Sequence, residues 1–136
     1  MLDAIYCDDI RQETSGKHTL VGVYENTARI ICDPAVEEMV FNVSVFVRLL
    51  RERDDPGFDQ VVVALVYRGE MVASARTTGT PGEGPIHSFA LRQIPVKIAG
   101  EGELTVLVVT ALGGKPVSEL KSRSSLSIVR ETPGTD

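Results

Sequence analysis

The sequence predicts an all-β protein: one antiparallel β-sandwich of about eight strands over residues 1–130, followed by a polar C-terminal tail at 131–136. Three observations carry that expectation. Between residues 39 and 49 every odd-numbered position is apolar (Met39, Phe41, Val43, Val45, Val47, Leu49), while Asn42, Ser44 and Arg48 interrupt the even set; this is the two-residue period of a strand with one buried face. Short β-branched runs of the same texture recur along the chain, with turn signals separating them about every 8 to 14 residues. No amphipathic helical stretch stands between them, and no repeat of fixed period suggests a propeller or solenoid.

Taken in order, residues 4–10 and 18–24 read as the limbs of a hairpin joined by the polar turn 12–17, in which Gly16 supplies a left-handed conformation. Gly22 inside the second limb suggests a bulge or a close approach of another backbone. Residues 29–32 form a short strand or edge segment. Asp33-Pro34 with Glu37 and Glu38 then resembles a helix start, although the next strand leaves room for at most one turn near Pro34. The long strand 39–53 ends in a charged turn through Pro56-Gly57. Residues 60–67 are apolar at nearly every position, and a tight turn at Arg68-Gly69-Glu70 leads into 71–77. A strand apolar on both faces must be covered by a second layer or a second chain.

The loop 79–85 is rich in Gly and Pro. In 86–98 the apolar parity switches from Phe89 and Leu91 to Ile94, Val96 and Ile98, which predicts a bulge or kink near Pro95. Residues 104–112 turn at Gly113-Gly114, the stretch 118–125 reads as irregular and polar, and a last strand carries Leu126, Ile128 and Val129.

With 136 residues, 43% of them hydrophobic, the chain can form one self-sufficient core, since a domain of this size buries roughly 70% of its unfolded surface. Aromatics make up 5% and Trp is absent, so no stacking platform for bases or sugars is displayed. A net charge of −5 without a basic run argues against nucleic acid. No apolar stretch approaches the roughly 18 residues of a bilayer span, so no membrane partner is expected. The first nine residues lack a positive region and carry acids, which predicts a cytoplasmic protein with Cys7 and Cys32 reduced.

The segments Cys7-Asp8-Asp9-Ile10-Arg11, Gly16-Lys17 and Leu20-Val21-Gly22-Val23-Tyr24 resemble the N-terminal hairpin of a family of short bacterial and phage-associated β-rich proteins, a domain of unknown function. The resemblance is strongest over the first 24 residues; beyond them it lies in length and strand layout. It implies a single β-sandwich domain and brings no activity and no catalytic residues with it.

Few residues suggest chemistry. Asp54, Asp55 and Asp59 surround Pro56-Gly57 and offer hard oxygen ligands for Ca²⁺, although Arg51 and Arg53 can neutralise them and the spacing is not that of an EF-hand. Asp8 and Asp9 interrupt an apolar limb, so a buried one needs a partner, for which Arg11, Lys17, His18 or a hairpin amide is at hand; Asp8, Asp9 and Arg11 are read as a structural polar hairpin. Cys7 and His18 could form a thiol–base pair, but hairpin pairing puts His18 near Arg11, about four residues at roughly 3.4 Å each from Cys7. His87 is isolated, and neither 79–84 nor Gly113-Gly114-Lys115 has the ending of a phosphate loop.

The sequence therefore predicts a non-catalytic interaction or structural module without a cofactor, which associates with itself or docks on a larger protein assembly. The doubly apolar strand 61–66 and the run 104–109 motivate it, because apolar sheet faces left in water favour aggregation. The alternatives are a Ca²⁺-dependent binding domain at Asp54, Asp55 and Asp59 and a small hydrolase-like enzyme around Cys7, Asp8, Asp9 and His18.

Overall fold

The computed structural model describes residues 1–52, 57–78 and 85–134, and within them the chain is built from strands alone. These are β1 (Leu2–Gln12), β2 (His18–Val23), β3 (Thr27–Ile31), β4 (Met39–Leu50), β5 (Gln60–Tyr67), β6 (Glu70–Thr78), β7 (Ile86–Ile98), β8 (Gly102–Leu112), β9 (Lys115–Lys121) and β10 (Leu126–Glu131). A first sheet has the order β2-β1-β4-β7, and a second the order β3-β10-β8-β5-β6. Strand β9 also pairs with β8, along residues 107–112, while β10 takes residues 102–104. The fold is all-β and consistent with a sandwich.

The inward faces alternate as the sequence period demands. Leu2, Ala4 and Tyr6 of β1 and Val43, Val45, Val47 and Leu49 of β4 meet Val61, Val63, Leu65 and Tyr67 of β5 and Leu104, Val106 and Val108 of β8 in one core. Tyr6 crosses between the sheets, its hydroxyl donating to the carbonyl oxygens of Leu104 and Ser124 at 3.3 and 3.2 Å. Burial pushes its phenol up to about 12.

Several local expectations meet their physical cause. The turns after β5 and β8 place Arg68 and Gly69, and Gly113 and Gly114, at positive φ, the two-residue geometry that matches strand twist. Near Pro34 the chain makes a single turn, in which Asp33 Oδ1 accepts from the Ala35 amide at 2.8 Å and Val36 N donates to the Asp33 carbonyl at 3.0 Å. The parity switch of β7 is a bulge at Arg92–Gln93, where the register against β4 shifts between Val43 and Val45 and Gln93 takes φ 50. It lies just before Pro95, which the edge position of β7 tolerates.

Three readings need correction. The described residues hold ten strands where about eight were expected, and one of them, β9, takes in the first half of the stretch read as irregular; 122–125 lies outside the strands. Just past β9 the Ser122 hydroxyl takes over from the ladder, accepting from Val106 N at 3.0 Å and donating to the Ser124 carbonyl at 2.8 Å. The sheets are also not wholly antiparallel, since β3 pairs with β10 in parallel.

Candidate interaction surface

The two sheets treat their outer faces differently. On the first sheet, pairing of β1 with β4 ends at Cys7 opposite Ser44, and pairing with β2 begins at Cys7 opposite Val23. The burial phase of β1 changes there: Cys7 and Ile10 are fully buried yet lie outside the main core. The His18 ring stands 5.2 Å from the Phe46 ring, although His18 pairs with Gln12, beyond Cys7, and Phe46 pairs with Ile5, before it. Only an arm folded back across the outer face of the first sheet brings these rings together. The β1–β2 hairpin is that arm.

Polar groups pin the arm to the bulge. Ser44 Oγ donates to the Asp8 carbonyl at 3.3 Å and accepts from Gln93 N at 2.9 Å, and Gln93 Nε2 donates to the same carbonyl at 2.8 Å. The Asp8 carboxylate accepts from the Tyr24 hydroxyl at 2.7 Å, and Asp9 faces Arg92 at 3.4 Å. Hydrogen bonding from Gln93, aided by the Ile10 amide and Arg92, holds the Asp9 carboxyl below its ordinary value. Burial, reinforced by Asp8, pushes Tyr24 up to about 12.

Of the expected local partners, a hairpin amide is the one found, Ile10 N donating to Asp9 Oδ1 at 2.9 Å; the side-chain partners are Tyr24, at the end of the same hairpin, for Asp8 and Arg92 of β7 for Asp9, while Arg11 is exposed. The one sequence signal for this cluster was the parity switch in β7, which marks the bulge carrying Arg92 and Gln93.

The predicted chemical groups do not converge. His18 pairs with Gln12, about five residues of roughly 3.4 Å along the strand from Cys7, and burial with the charges of Asp8 and Asp9 pushes the Cys7 thiol up, away from a nucleophilic thiolate. Asp54 and Asp55 lie outside the described residues; Asp59 Oδ2 accepts from Gly113 N at 3.4 Å. Among the described residues no group of three His, Cys, Asp or Glu side chains could hold a metal. His87 packs its ring 5.4 Å from Phe58, and burial, then the charge of Arg51, holds its pKa low.

The outer face of the second sheet has another character. Along β5 the outward positions are Val62, Ala64 and Val66, and along β8 they are Thr105, Leu107, Val109 and Ala111. All but the buried Ala64 keep part of their surface in water. Register puts them in rows, with Val62 opposite Val109, Ala64 opposite Leu107 and Val66 opposite Thr105. Among the described residues, charged groups stand only around this stripe. Glu119 and Lys121 of β9 flank Val109 and Leu107, and Arg76 of β6 flanks Val62 on the opposite side. Below, Arg68, Glu101 and Glu103 line a shallow depression of about 600 Å³ together with Val66 and Thr105.

Two of these strands were singled out by their double apolar character; the flanking charges were not, because only the pairing of β8 with β9 and of β5 with β6 shows that they share a face. No family model, curated protein or solved structure matches this chain.

Proposed function

We propose that this protein is a non-catalytic interaction module whose working surface is the outer face of the second sheet, through which it associates with itself or docks on a larger protein assembly. The observation that carries this reading is the contrast between the two outer faces. The first sheet buries Cys7 and Ile10 completely under the β1–β2 arm, and the apolar side chains its outer face does expose, Ile5, Val40 and Ile86, are set apart from one another by the rows of Asn42, Ser44 and Arg48. The second leaves Val62, Val66, Leu107 and Val109 partly exposed in a continuous stripe. An antiparallel sheet with one solvated face ordinarily alternates apolar-in and polar-out, and continuous apolar patches mark sites of contact.

The test is static light scattering over a wide concentration range on the wild type and on Leu107→Glu. Association or net attraction in the wild type that Leu107→Glu abolishes supports the reading. A strict monomer whose second virial coefficient is the same in both proteins refutes it.

A further inference from the structure

We infer that the occupant of this face is a second copy of the same chain, related by a two-fold axis that lies in the interface and runs along the strands between β8 and β5. The inference rests on the reading of the face as an interaction surface and adds the partner and its register.

The argument is one of self-complementarity. In a two-fold interface, whatever residue i meets, its counterpart meets in return. The strand registers define a row of Glu119, Val109, Val62 and Arg76, and a second of Lys121, Leu107, Ala64 and Ser74. The first row carries an acid at its β9 end and a base at its β6 end. Rotation about an axis along the strands exchanges β8 with β5 and β9 with β6 and keeps every row in place.

Glu119 of each copy then faces Arg76 of the other. Leu107, the largest side chain of the stripe, falls over Ala64, the smallest of β5, and Val109 falls over Val62. Below them Glu103 comes opposite Arg68, whose guanidinium donates to the Ala99 carbonyl at 2.9 Å and keeps further donors. Opposite charges thus meet at both ends of an apolar centre, which fixes register and disfavours wrong pairings.

An axis across the strands does worse. Centred on the Leu107 row, it sets Lys121 against Lys121 of the second copy. Moved half a row, it pairs Lys121 with Glu119 but lays Val66 over Gln60 and leaves Arg76 facing Ser74.

The size of the face sets the strength. Strands β8, β5 and β6 over rows extending roughly 27 Å, with β9 over roughly 17 Å, at about 4.8 Å spacing, give about 470 Å² per copy and about 900 Å² in total. That is the lower edge of specific interfaces, so the dimer should form and dissociate over the micromolar range and above.

Sedimentation velocity from micromolar to millimolar protein tests the pairing, using Glu119→Arg, Arg76→Glu, their double variant and Glu119→Arg with Lys121→Glu; circular dichroism verifies the fold of each. Either single reversal should weaken dimerisation by about tenfold or more, and the Glu119→Arg/Arg76→Glu pair should restore it to within about threefold of wild type. Rescue by Lys121→Glu instead overturns the axis. Dimerisation lost in Leu107→Glu but indifferent to every charge reversal overturns the register and leaves the interaction surface standing. A wild type that is monomeric throughout overturns the second copy as occupant; if Leu107→Glu also leaves the light scattering unchanged, the interaction reading falls with it.

Discussion

Gly22 lies within the arm over the first sheet at positive φ, and its replacement by alanine offers a quantitative test of how β2 packs on β1. It lies between Val21 and Val23, which pair with Asp9 and Cys7, so it stands opposite Asp8 at φ 67. A Cβ there would come within 2.2 Å of Asp8 Oδ2 and 2.8 Å of Asp8 Cγ. The left-handed conformation costs an alanine about 1–2 kcal/mol. The contact is relieved only if the Asp8 carboxylate swings away, which breaks the hydrogen bond from Tyr24 and adds about 1 kcal/mol, the low end for an exposed charged bond. Gly22→Ala should therefore destabilise the protein by about 2–3 kcal/mol. With a urea slope of roughly 2 kcal/mol per molar, the unfolding midpoint falls by about 1 M or more. In an Asp8→Ala background the carboxylate is gone, and the same substitution should cost only the conformational part. A coupling of about 1 kcal/mol in the double-mutant cycle is expected. A cost below about 0.5 kcal/mol, or equal costs in both backgrounds, would refute the close approach of Gly22 to Asp8 and with it this packing of β2 on β1.

Three further expectations concern the core and the faces. Leu65→Ala, at a fully buried position, should cost about 2–5 kcal/mol in urea unfolding, whereas Leu107→Ala on the outer face should cost about 1 kcal/mol or less at concentrations where the protein is monomeric; equal costs would contradict the assignment of faces. Tyr6→Phe removes a buried donor between the sheets and should lower stability by about 1–2 kcal/mol. The same phenol sets an alkaline limit. Its folded pKa of about 12 exceeds the ordinary 10, so its contribution is complete below pH 10 and is lost as pH rises toward 12, at up to about 1.4 kcal/mol per pH unit. Urea unfolding at pH 9, 10 and 11 should show this decline, which the raised phenols of Tyr24 and Tyr67 share, so Tyr6→Phe should make it shallower without abolishing it; an unchanged slope in the variant counts against the assignment to Tyr6.

How much of this was legible in the sequence follows from the range of each interaction. The strand β4 and the turns at Arg68-Gly69 and Gly113-Gly114 depend on alternation and on local backbone preference, both visible within a few residues. The bulge in β7 was visible as a parity change, though its position at Arg92–Gln93 needed the register against β4. Strand β9 was hidden because Lys115, Pro116, Ser118, Glu119 and Lys121 leave little apolar pattern; its inward face is completed by a Ser118–Thr110 hydroxyl contact and by Leu120. The parallel partnership of β3 and β10 joins residues about a hundred positions apart and has no local signature. The same holds for the site: the apolar stripe showed itself as an excess of Val and Leu in two strands, but its charged margin, Glu119 and Arg76, is a property of pairing.

The placement of those charges separates a contact surface from an ordinary apolar excess. Exposed sheets are commonly protected by charged side chains set among the apolar ones, where they block close approach of another layer. Strand β4 follows that pattern on its outer side, where the exposed Asn42 and Arg48 stand between its apolar outward positions. Strands β5 and β8 depart from it only in their central rows, from Thr105 to Ala111 and from Val62 to Val66, while Arg68, Glu103, Arg76, Glu119 and Lys121 are held to the perimeter. An apolar centre with a charged rim is the anatomy of a surface that desolvates its middle on contact and uses its edges to choose the partner.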